Sequence, residues 1–277
     1  MLQAIFYGLT IGGILYITSI GLSLTFGAMR IVNFAHGMVY SVGAYTLFFV
    51  TRTLGLPFLA GAVVSVLLAI PLSYVIERLV IRRLYGQSID YAIVATYAVL
   101  LIGVDVTKWI FGPNPLPISV PMGESLTVGF LEMPVYRLVI IGLSLLIFMG
   151  LSMFFKKTII GKIVVAGLQD REAVRSLGID IDKYFAIVFV LGSALAALGG
   201  VLYAPLSTIQ PYMGFQVLVL TFAVVIVGGM GNFRGTAVSA YGLGLVIAIT
   251  GRFWGPAAEA MVFVIMALVL AIRPIEA

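Results

Sequence analysis

Cysteine is absent from this sequence, and histidine occurs once, at His36. The first absence excludes a disulfide framework, a cysteine nucleophile and a metal site with thiolate ligands. A single histidine excludes a metal site built from several imidazoles, and no carboxylates are clustered along the chain. Because an enzyme site needs paired catalytic groups, we expect no catalytic residues, no bound metal and no cofactor.

Charged residues are also scarce, because they make up 10% of the 277 residues while hydrophobic residues make up 62%. In a soluble domain about a quarter of the residues are charged, so this composition predicts an integral membrane protein. The 16 Lys and Arg outnumber the 11 Asp and Glu, but they are scattered along the chain. We therefore expect no nucleic-acid partner and interpret the cations as markers of membrane topology.

Long apolar runs divide the chain into segments that could cross a bilayer, which takes roughly 20 apolar residues per helix. They cover 2–27, 38–56, 57–80, 91–111, 135–155, 184–206, 215–232, 235–251 and 257–272. The pattern predicts an all-α fold, a polytopic transmembrane helix bundle of eight to nine spanning segments in one domain over 1–277. Gly and Pro interrupt several segments, so some are predicted to be broken or re-entrant helices. The first run lacks the charged start and cleavage site of a signal peptide, so we expect it to be retained.

The distribution of Lys and Arg predicts which loops face the cytoplasm. Arg78, Arg82 and Arg83 follow the third segment, and six further cations lie within 156–183. The loops over 112–134 and 204–214 contain no cation and are predicted to lie outside. Arg273 and the C-terminus then lie inside, and the N-terminus lies outside if all nine segments cross.

The stretch "RIVNFAHG" at 30–37 places polar residues in apolar surroundings. Because an unsatisfied polar group in hydrocarbon is costly, Asn33 and His36 must face protein or a cavity. A helix break at 32–34 meets this requirement, with Asn33 as the N-cap of a second helix whose positive end faces a polar solute. Arg30 is expected toward the cytoplasmic end of the first segment.

Two roles are open for His36: a hydrogen bond that holds the break against a neighbouring helix, or contact with the solute. Gly37, Tyr40 and Tyr45 follow on the same stretch. We assign them, with Asn33 and His36, to a predicted solute path, although packing is the favoured role of the two tyrosines.

A second glycine-rich stretch, "GGMGNFRG" at 228–235, offers bare backbone to a half-helix that approaches the same path. Gly228, Gly229 and Asn232 are therefore added to the predicted path. The sequences that start at Asn33 and Asn232 are weakly similar, as the internal repeats of transporters are.

Two acidic residues interrupt other apolar segments. Asp105 is predicted to pair with Lys108 one turn further along its helix, and Glu259 lies near Arg252. The second pair is predicted to act as a gate or to be a solvated ion pair.

The stretch "KIVVAGLQDREAVRSLGIDIDK" at 162–183 is dense in charges of both signs. A helix over 169–177 would place Ala173, Val174 and Leu177 on one stripe, with Gly178 ending the helix. The stripe is small and its rim mixes acids and bases, which suits a protein groove better than lipid headgroups.

This stretch resembles the cytoplasmic coupling loop of ABC importer permeases, in which Glu-Ala-Ala is followed after three residues by Gly. The matching residues here are Glu172, Ala173, Val174 and Gly178, with Val in the third position. Together with "NFAHG", "GAY", "ER", "PYMGF" and "GGMGNFRG" in the same order, it makes nearly the whole chain resemble the branched-chain amino-acid ABC permease family of the LivH/LivM type.

The resemblance implies a permease subunit in the cytoplasmic (inner) membrane of a bacterium. It implies a second permease subunit, homologous or identical, an extracytoplasmic substrate-binding protein and separate ATPase subunits that use the ATP. The sequence itself contains no Gly-x-x-x-x-Gly-Lys-Ser/Thr motif. The residues implied to couple to the ATPases are Gln169, Asp170, Arg171, Glu172, Ala173, Arg175 and Gly178.

Departures from the family pattern leave the solute open. Met38 follows "NFAHG" where many members have Glu, and "GGMGNFRG" replaces the frequent "GGIGSIPG". Branched-chain amino acids are the first expectation, and urea, short amides or aromatic acids are the alternatives. A stand-alone secondary transporter or channel is the alternative of another class, although the midplane acids that ion coupling requires are sparse.

Overall fold

The computed structural model describes residues 1–29, 31–128 and 131–272. Arg30 and Arg273, for which a position was predicted, lie outside these ranges, as does the C-terminus. Eleven α-helices are present in the described part: α1 Leu2–Met29, α2 Ala35–Phe48, α3 Phe58–Leu79, α4 Ile89–Phe111, α5 Val135–Lys157, α6 Ile159–Gln169, α7 Arg171–Ser176, α8 Ile181–Tyr203, α9 Met213–Gly228, α10 Phe233–Phe253 and α11 Ala258–Ile272.

The structure is an all-α bundle with one small addition. Seven helical stretches within the described ranges are long and apolar enough to cross a membrane: Leu2–Met29, Phe58–Leu84, Ile89–Phe111, Val135–Lys157, Ile181–Leu206, Phe233–Phe253 and Gly255–Ile272. The addition is an antiparallel hairpin of β1, Ser125–Val128, and β2, Leu131–Pro134, in the loop before α5. This hairpin was not predicted from the residue pattern.

Two of the nine predicted segments form shorter helices. The segment 38–56 becomes α2, of 14 residues, followed by a π-helical turn at Phe49–Thr53. The segment 215–232 becomes α9, of 16 residues, which ends at a break. At about 1.5 Å per residue, neither α-helix alone reaches the roughly 30 Å thickness of the hydrocarbon core. The count of eight to nine crossings therefore stays a prediction, while the predicted short, broken segments are present.

Helices α1 and α8 lie at the centre of the bundle. Helix α1 packs on α5, α8, α9 and α10, and α8 packs on α1, α2 and α3. Glycines allow the close approach: a Cβ added to Gly12 would lie 2.8 Å from the Cα of Tyr241, and one added to Gly192 would lie 2.8 Å from the carbonyl oxygen of Gly21. Small residues at such contacts bring the backbones together, as in other membrane bundles.

The predicted inner loops and the predicted outer loops lie at opposite ends of α4. At its first end, Ile81 and Val174 pack in one apolar cluster, which joins the two cation-rich loops. At its last end, Leu116 and Ile209 exchange backbone hydrogen bonds of 2.8 and 3.0 Å, which joins the two cation-free loops. The grouping agrees with the predicted topology, and the side of the membrane that each end faces stays a prediction.

Candidate functional site

The predicted helix break lies between α1 and α2, where residues 31–34 form no regular helix. The predicted N-cap is wrong, because Phe34 occupies that position and no side chain caps α2. Instead, Thr96 Oγ1 of α4 accepts a hydrogen bond from the Phe34 N–H and lies within hydrogen-bond distance of the Val32 carbonyl, both at 3.1 Å. A tertiary contact has replaced the local cap.

Asn33 is buried at this junction, with 1% of its surface exposed. Neither its Oδ1 nor its Nδ2 has a hydrogen-bond partner among the described residues. Burial of an amide without hydrogen-bond partners costs about 1–3 kcal/mol on mutational scales. The buried amide of Asn33 is therefore destabilising in this arrangement. Its predicted contact with a solute stays a prediction.

His36 is fully buried, and its Nε2 lies 2.8 Å from the backbone oxygen of Thr18 in α1. Because a carbonyl oxygen only accepts hydrogen bonds, Nε2 carries the proton. This is the hydrogen bond to a neighbouring helix that was one of the two predicted roles. Nδ1 has no partner in the described ranges.

Tyr40 and Tyr45, further along α2, are 1% and 2% exposed. Both hydroxyl oxygens are without a hydrogen-bond partner among the residues described. The Tyr45 ring packs on Phe111 at 4.9 Å between centroids. Gly37 faces α9, because a Cβ there would overlap the carbonyl oxygen of Gly214.

The second predicted break lies between α9 and α10. Gly229, at φ +87°, follows the end of α9, and Asn232 caps α10 by accepting the Gly235 N–H at Oδ1 over 3.0 Å. Gly228 packs directly on Gly235. Asn232 thus has the N-cap geometry that was predicted for Asn33.

The two breaks lie close to the same end of α1. A Cβ on Gly27 would lie 2.7 Å from the Cα of Gly231 in the second break. At the first break, the Phe34 ring lies 5.3 Å from the Phe222 ring of α9. The structure therefore brings the two predicted parts of the path into one region, at the end of the bundle that carries the cation-rich loops.

A cavity of about 380 Å³ lies toward the opposite end. Of the predicted path residues, only Tyr40 lines it. The remaining lining residues are Tyr7, Thr10, Ile11, Ile14, Leu15, Arg137, Tyr203, Leu206, Ser207, Thr208, Met213, Gln216, Val217, Leu220, Ile247 and Glu259. Most of these residues were not predicted, although Arg137, at the third position of an apolar segment, was a signal that could have indicated the site.

Of the two predicted acid–base pairs, one is present among the described residues and the other is not. Lys108 and Asp105 form an exposed ion pair of 3.3 Å, as predicted. Glu259 forms no ion pair with Arg252 in the part of the chain that the structure describes, and lines the cavity instead. Nowhere in that part do three His, Asp or Glu side chains come together as metal ligands would.

The predicted helix over 169–177 is divided in the structure. Helix α6 ends at Gln169, Asp170 adopts an extended conformation, and α7 begins at Arg171. Asp170 Oδ1 accepts the Ala173 N–H at 2.9 Å, so this carboxylate starts a new helix as an N-cap. After α7, Gly178 has φ +77°, which agrees with its predicted place at the helix end.

Helix α7 is attached to the bundle by Asp182, in the first turn of α8. Arg171 and Arg175 both form ion pairs with Asp182, and the Arg175 Nη2 to Oδ2 distance is 2.9 Å. The Arg171 guanidinium also lies 5.4 Å from each of the Tyr85 and Phe185 rings. Asp182 was not among the predicted site residues, although it is a carboxylate only seven residues after Arg175 in the sequence.

Tyr85 continues this network toward α3. Its hydroxyl donates to Glu77 Oε1 at 3.0 Å. Burial and the neighbouring Glu77 raise the pKa of Tyr85 well above its ordinary value, so the phenol remains a donor at neutral pH.

The predicted apolar stripe of α7 is only partly available to a partner. Val174 is 5% exposed and packs inside the chain, whereas Leu177 is 77% exposed. Gln169, Glu172, Ala173, Arg175 and Gly178 are exposed on the same segment. Of the predicted stripe of Ala173, Val174 and Leu177, Val174 is therefore not available to a partner, because it anchors the helix.

The long apolar helices, with two helix breaks among them, characterise a polytopic membrane protein. The chain belongs to the family described as branched-chain amino acid transport system / permease component, whose model matches residues 4–272. It is a multi-pass protein of the inner membrane.

Named relatives of this family are similar over most of the chain. The high-affinity branched-chain amino acid transport system permease protein BraD of Pseudomonas aeruginosa is 30% identical over 99% of this chain and 94% of its own length. The corresponding LivH protein of Escherichia coli K12 is 26% identical with the same coverage. A probable LivH protein of Methanocaldococcus jannaschii is 26% identical over 84% of this chain and 75% of its own length.

Proposed function

We propose that the chain is the transmembrane permease subunit of an ABC importer for branched-chain amino acids or a related small polar solute. The observation that carries the proposal is the exposed face of α7, which is attached by ion pairs to a central helix of the bundle. Family membership and the names of the relatives support the solute class.

The partners follow from membership of the permease family. Separate ATPase subunits would dock at 169–178 and hydrolyse the ATP. A second permease subunit, homologous or identical, would complete the pathway. An extracytoplasmic binding protein would deliver the solute to the end of the bundle that carries the loops over 112–134 and 204–214.

The contacts of α8 give a route for transmitting movement. A force on α7 would reach Asp182 through Arg171 and Arg175. Helix α8 packs on α1, α2 and α3, so its displacement would shift the junction that holds Asn33 and His36. We infer that the breaks at 31–34 and 229–232 alternate access to a path that also includes Gly37, Tyr45 and Gly228.

The test is ATP-dependent uptake of labelled leucine by vesicles that contain the permease, its partner subunits and the binding protein. Glu172→Lys reverses a charge on the exposed face of α7, so it should abolish uptake while membrane insertion is retained. Asp90→Lys is the matched control, because Asp90 is an exposed acid in the first turn of α4, at the same end of the bundle but outside 169–178. Wild-type uptake by the Glu172→Lys protein at equal abundance would contradict the coupling role.

The alternative class predicts a different result. If the purified chain alone carried out uptake in liposomes without ATP, it would be a secondary transporter or channel, and the proposal would be overturned.

A further inference from the structure

The cavity lies among helix ends that belong to one end of the bundle. Its lining includes residues near the beginnings of α1, α5, α9 and α11 and the last residue of α8, namely Tyr7, Arg137, Gln216, Glu259 and Tyr203. This is the end with the cation-free loops, which the topology predicts to face outside. A solute that arrives from that side would enter here first.

The cavity carries one positive and one negative side chain. Arg137, at the third position of α5, lies with its guanidinium carbon 3.5 Å from the centre of the Tyr7 ring. This stacking fixes the orientation of a planar donor group that matches a carboxylate. Glu259, in the first turn of α11, supplies the opposite charge. Among the side chains that the structure describes, neither residue belongs to an ion pair.

The cavity walls are mostly aliphatic. They are formed by Ile11, Ile14, Leu15, Val217, Leu220 and Ile247. Tyr40 also lines the cavity, and its buried hydroxyl has no partner in the described ranges. Walls of this kind, with a few polar groups among them, are typical of small-molecule sites.

We infer that this cavity binds an aliphatic α-amino acid as its zwitterion, with Arg137 holding the carboxylate and Glu259 the ammonium group. The aliphatic walls receive the side chain, and about 380 Å³ falls within the usual range of small-molecule sites. The inference rests on the proposed transport function and narrows its solute. Urea and neutral amides would leave both Arg137 and Glu259 without a counter-charge. An acid that has no amino group would leave Glu259 without a counter-charge.

The experiment uses the complete permease–ATPase complex in nanodiscs and measures equilibrium binding of labelled L-leucine. Competition with 4-methylpentanoate, which lacks the ammonium group, and 3-methylbutylamine, which lacks the carboxylate, separates the two contacts. Arg137→Gln should weaken leucine binding by about tenfold, and Glu259→Gln, at an exposed position, by about threefold. Glu259→Gln should also remove the preference for leucine over 4-methylpentanoate, and Arg137→Gln the preference over 3-methylbutylamine.

Matched controls are Glu124→Gln and Arg52→Gln, which remove charges at the same end but outside the cavity. Both should leave leucine binding within about twofold of the wild type. Glu259 is exposed, so its variant should fold even if Arg137→Gln does not. Arg137→Lys, which keeps the charge and loses the planar fork, should bind leucine with intermediate affinity.

Two outcomes would overturn the inference while the transport function stands. One is unchanged leucine affinity and analogue preference in both Gln variants of a complex that performs ATP-dependent uptake. The other is ATP-dependent uptake of urea or an amide with no binding of leucine. Absence of ATP-dependent uptake of any solute by the assembled system would instead contradict the proposed function itself.

Discussion

Polar residues interrupt the helical chain at two places, the junction between α1 and α2 and the segment that contains α7. Different interactions stabilise the two. At the junction Asn33 and His36 are buried, and their side chains make a single hydrogen bond to the described residues, from His36 to Thr18. Around α7, Arg171 and Arg175 are paired with Asp182 at a partly exposed position.

The difference shows that burial determines which interactions stabilise a polar interruption between two helices. At the junction, inside the bundle, close backbone contacts and one buried hydrogen bond define the geometry. At the surface, charges define it, and water and salt compete with each pair. We therefore expect the junction to be sensitive to volume and the α7 segment to be sensitive to charge and backbone conformation.

The largest effect is expected from added volume near the junction. Gly37→Ala places a methyl group against the carbonyl oxygen of Gly214, so the α2–α9 contact must open. We expect a loss of about 3 kcal/mol in the free energy of unfolding, measured by thermal unfolding of the purified protein. Gly142→Ala is the control: a Cβ there meets nothing within 4 Å, and it should gain about 0.5–1 kcal/mol. Equal stability of the two variants would contradict the volume argument.

The second effect concerns the backbone after α7. Gly178 has φ +77°, which proline, restricted to about −65°, cannot adopt. Gly178→Pro should reduce ATP-dependent uptake at least about tenfold while the bundle stays folded. Gly55→Pro provides the comparison, because Gly55 has φ +67° in a loop at the other end of the bundle. If Gly55→Pro reduced uptake equally, the effect would not be specific to coupling.

The third prediction separates the two nitrogens of His36. In His36→Gln the amide nitrogen can take the place of Nε2 and still donate to the Thr18 carbonyl, whereas His36→Asn places its amide near Nδ1. We expect His36→Asn to lose about 1–3 kcal/mol of stability, and His36→Gln to lose less, in the same unfolding measurement. The opposite ranking would show that Nδ1, rather than Nε2, makes the important contact.

The smallest effect is expected from charge removal at α7. Asp182→Asn removes both ion pairs, each worth about 0.2–1 kcal/mol at such exposure. Uptake should fall roughly threefold, and the difference from the wild type should narrow as the salt concentration is raised. Asp180→Asn is the control, because Asp180 pairs with the exposed Lys183 at 3.2 Å. A larger loss in Asp180→Asn would contradict the role of Asp182 as the attachment.

Much of the architecture could be predicted from residue patterns. Apolar runs indicated the helices, and the polar residues at 30–37 indicated a break that is present at 31–34. Gly178 was placed at a helix end because only glycine adopts a positive φ without strain. The N-cap rule succeeded at Asn232, where the partner is three residues away, and failed at Asn33, where Thr96 acts from 62 residues away.

The candidate cavity was much less predictable. Arg137 and Glu259 are 122 residues apart in sequence, and each is a single charge beside an apolar segment. Their common cavity depends on α5 and α11 being brought around α1, α9 and α10, and no local pattern specifies that arrangement. The attachment of α7 through Asp182 was missed because the angle between α7 and α8 determines which carboxylate meets the two arginines.

The sequence by itself determined that this chain lies in a membrane as a helical bundle, because hydrocarbon accepts only backbones that satisfy their own hydrogen bonds. It also determined the family, since the ordered motifs extend along nearly the whole chain. Only the tertiary structure decided which polar groups are paired, which face of α7 is exposed and which charges share a cavity. Those properties depend on distances between helices far apart in sequence, which glycines such as Gly12 and Gly192 allow to be short.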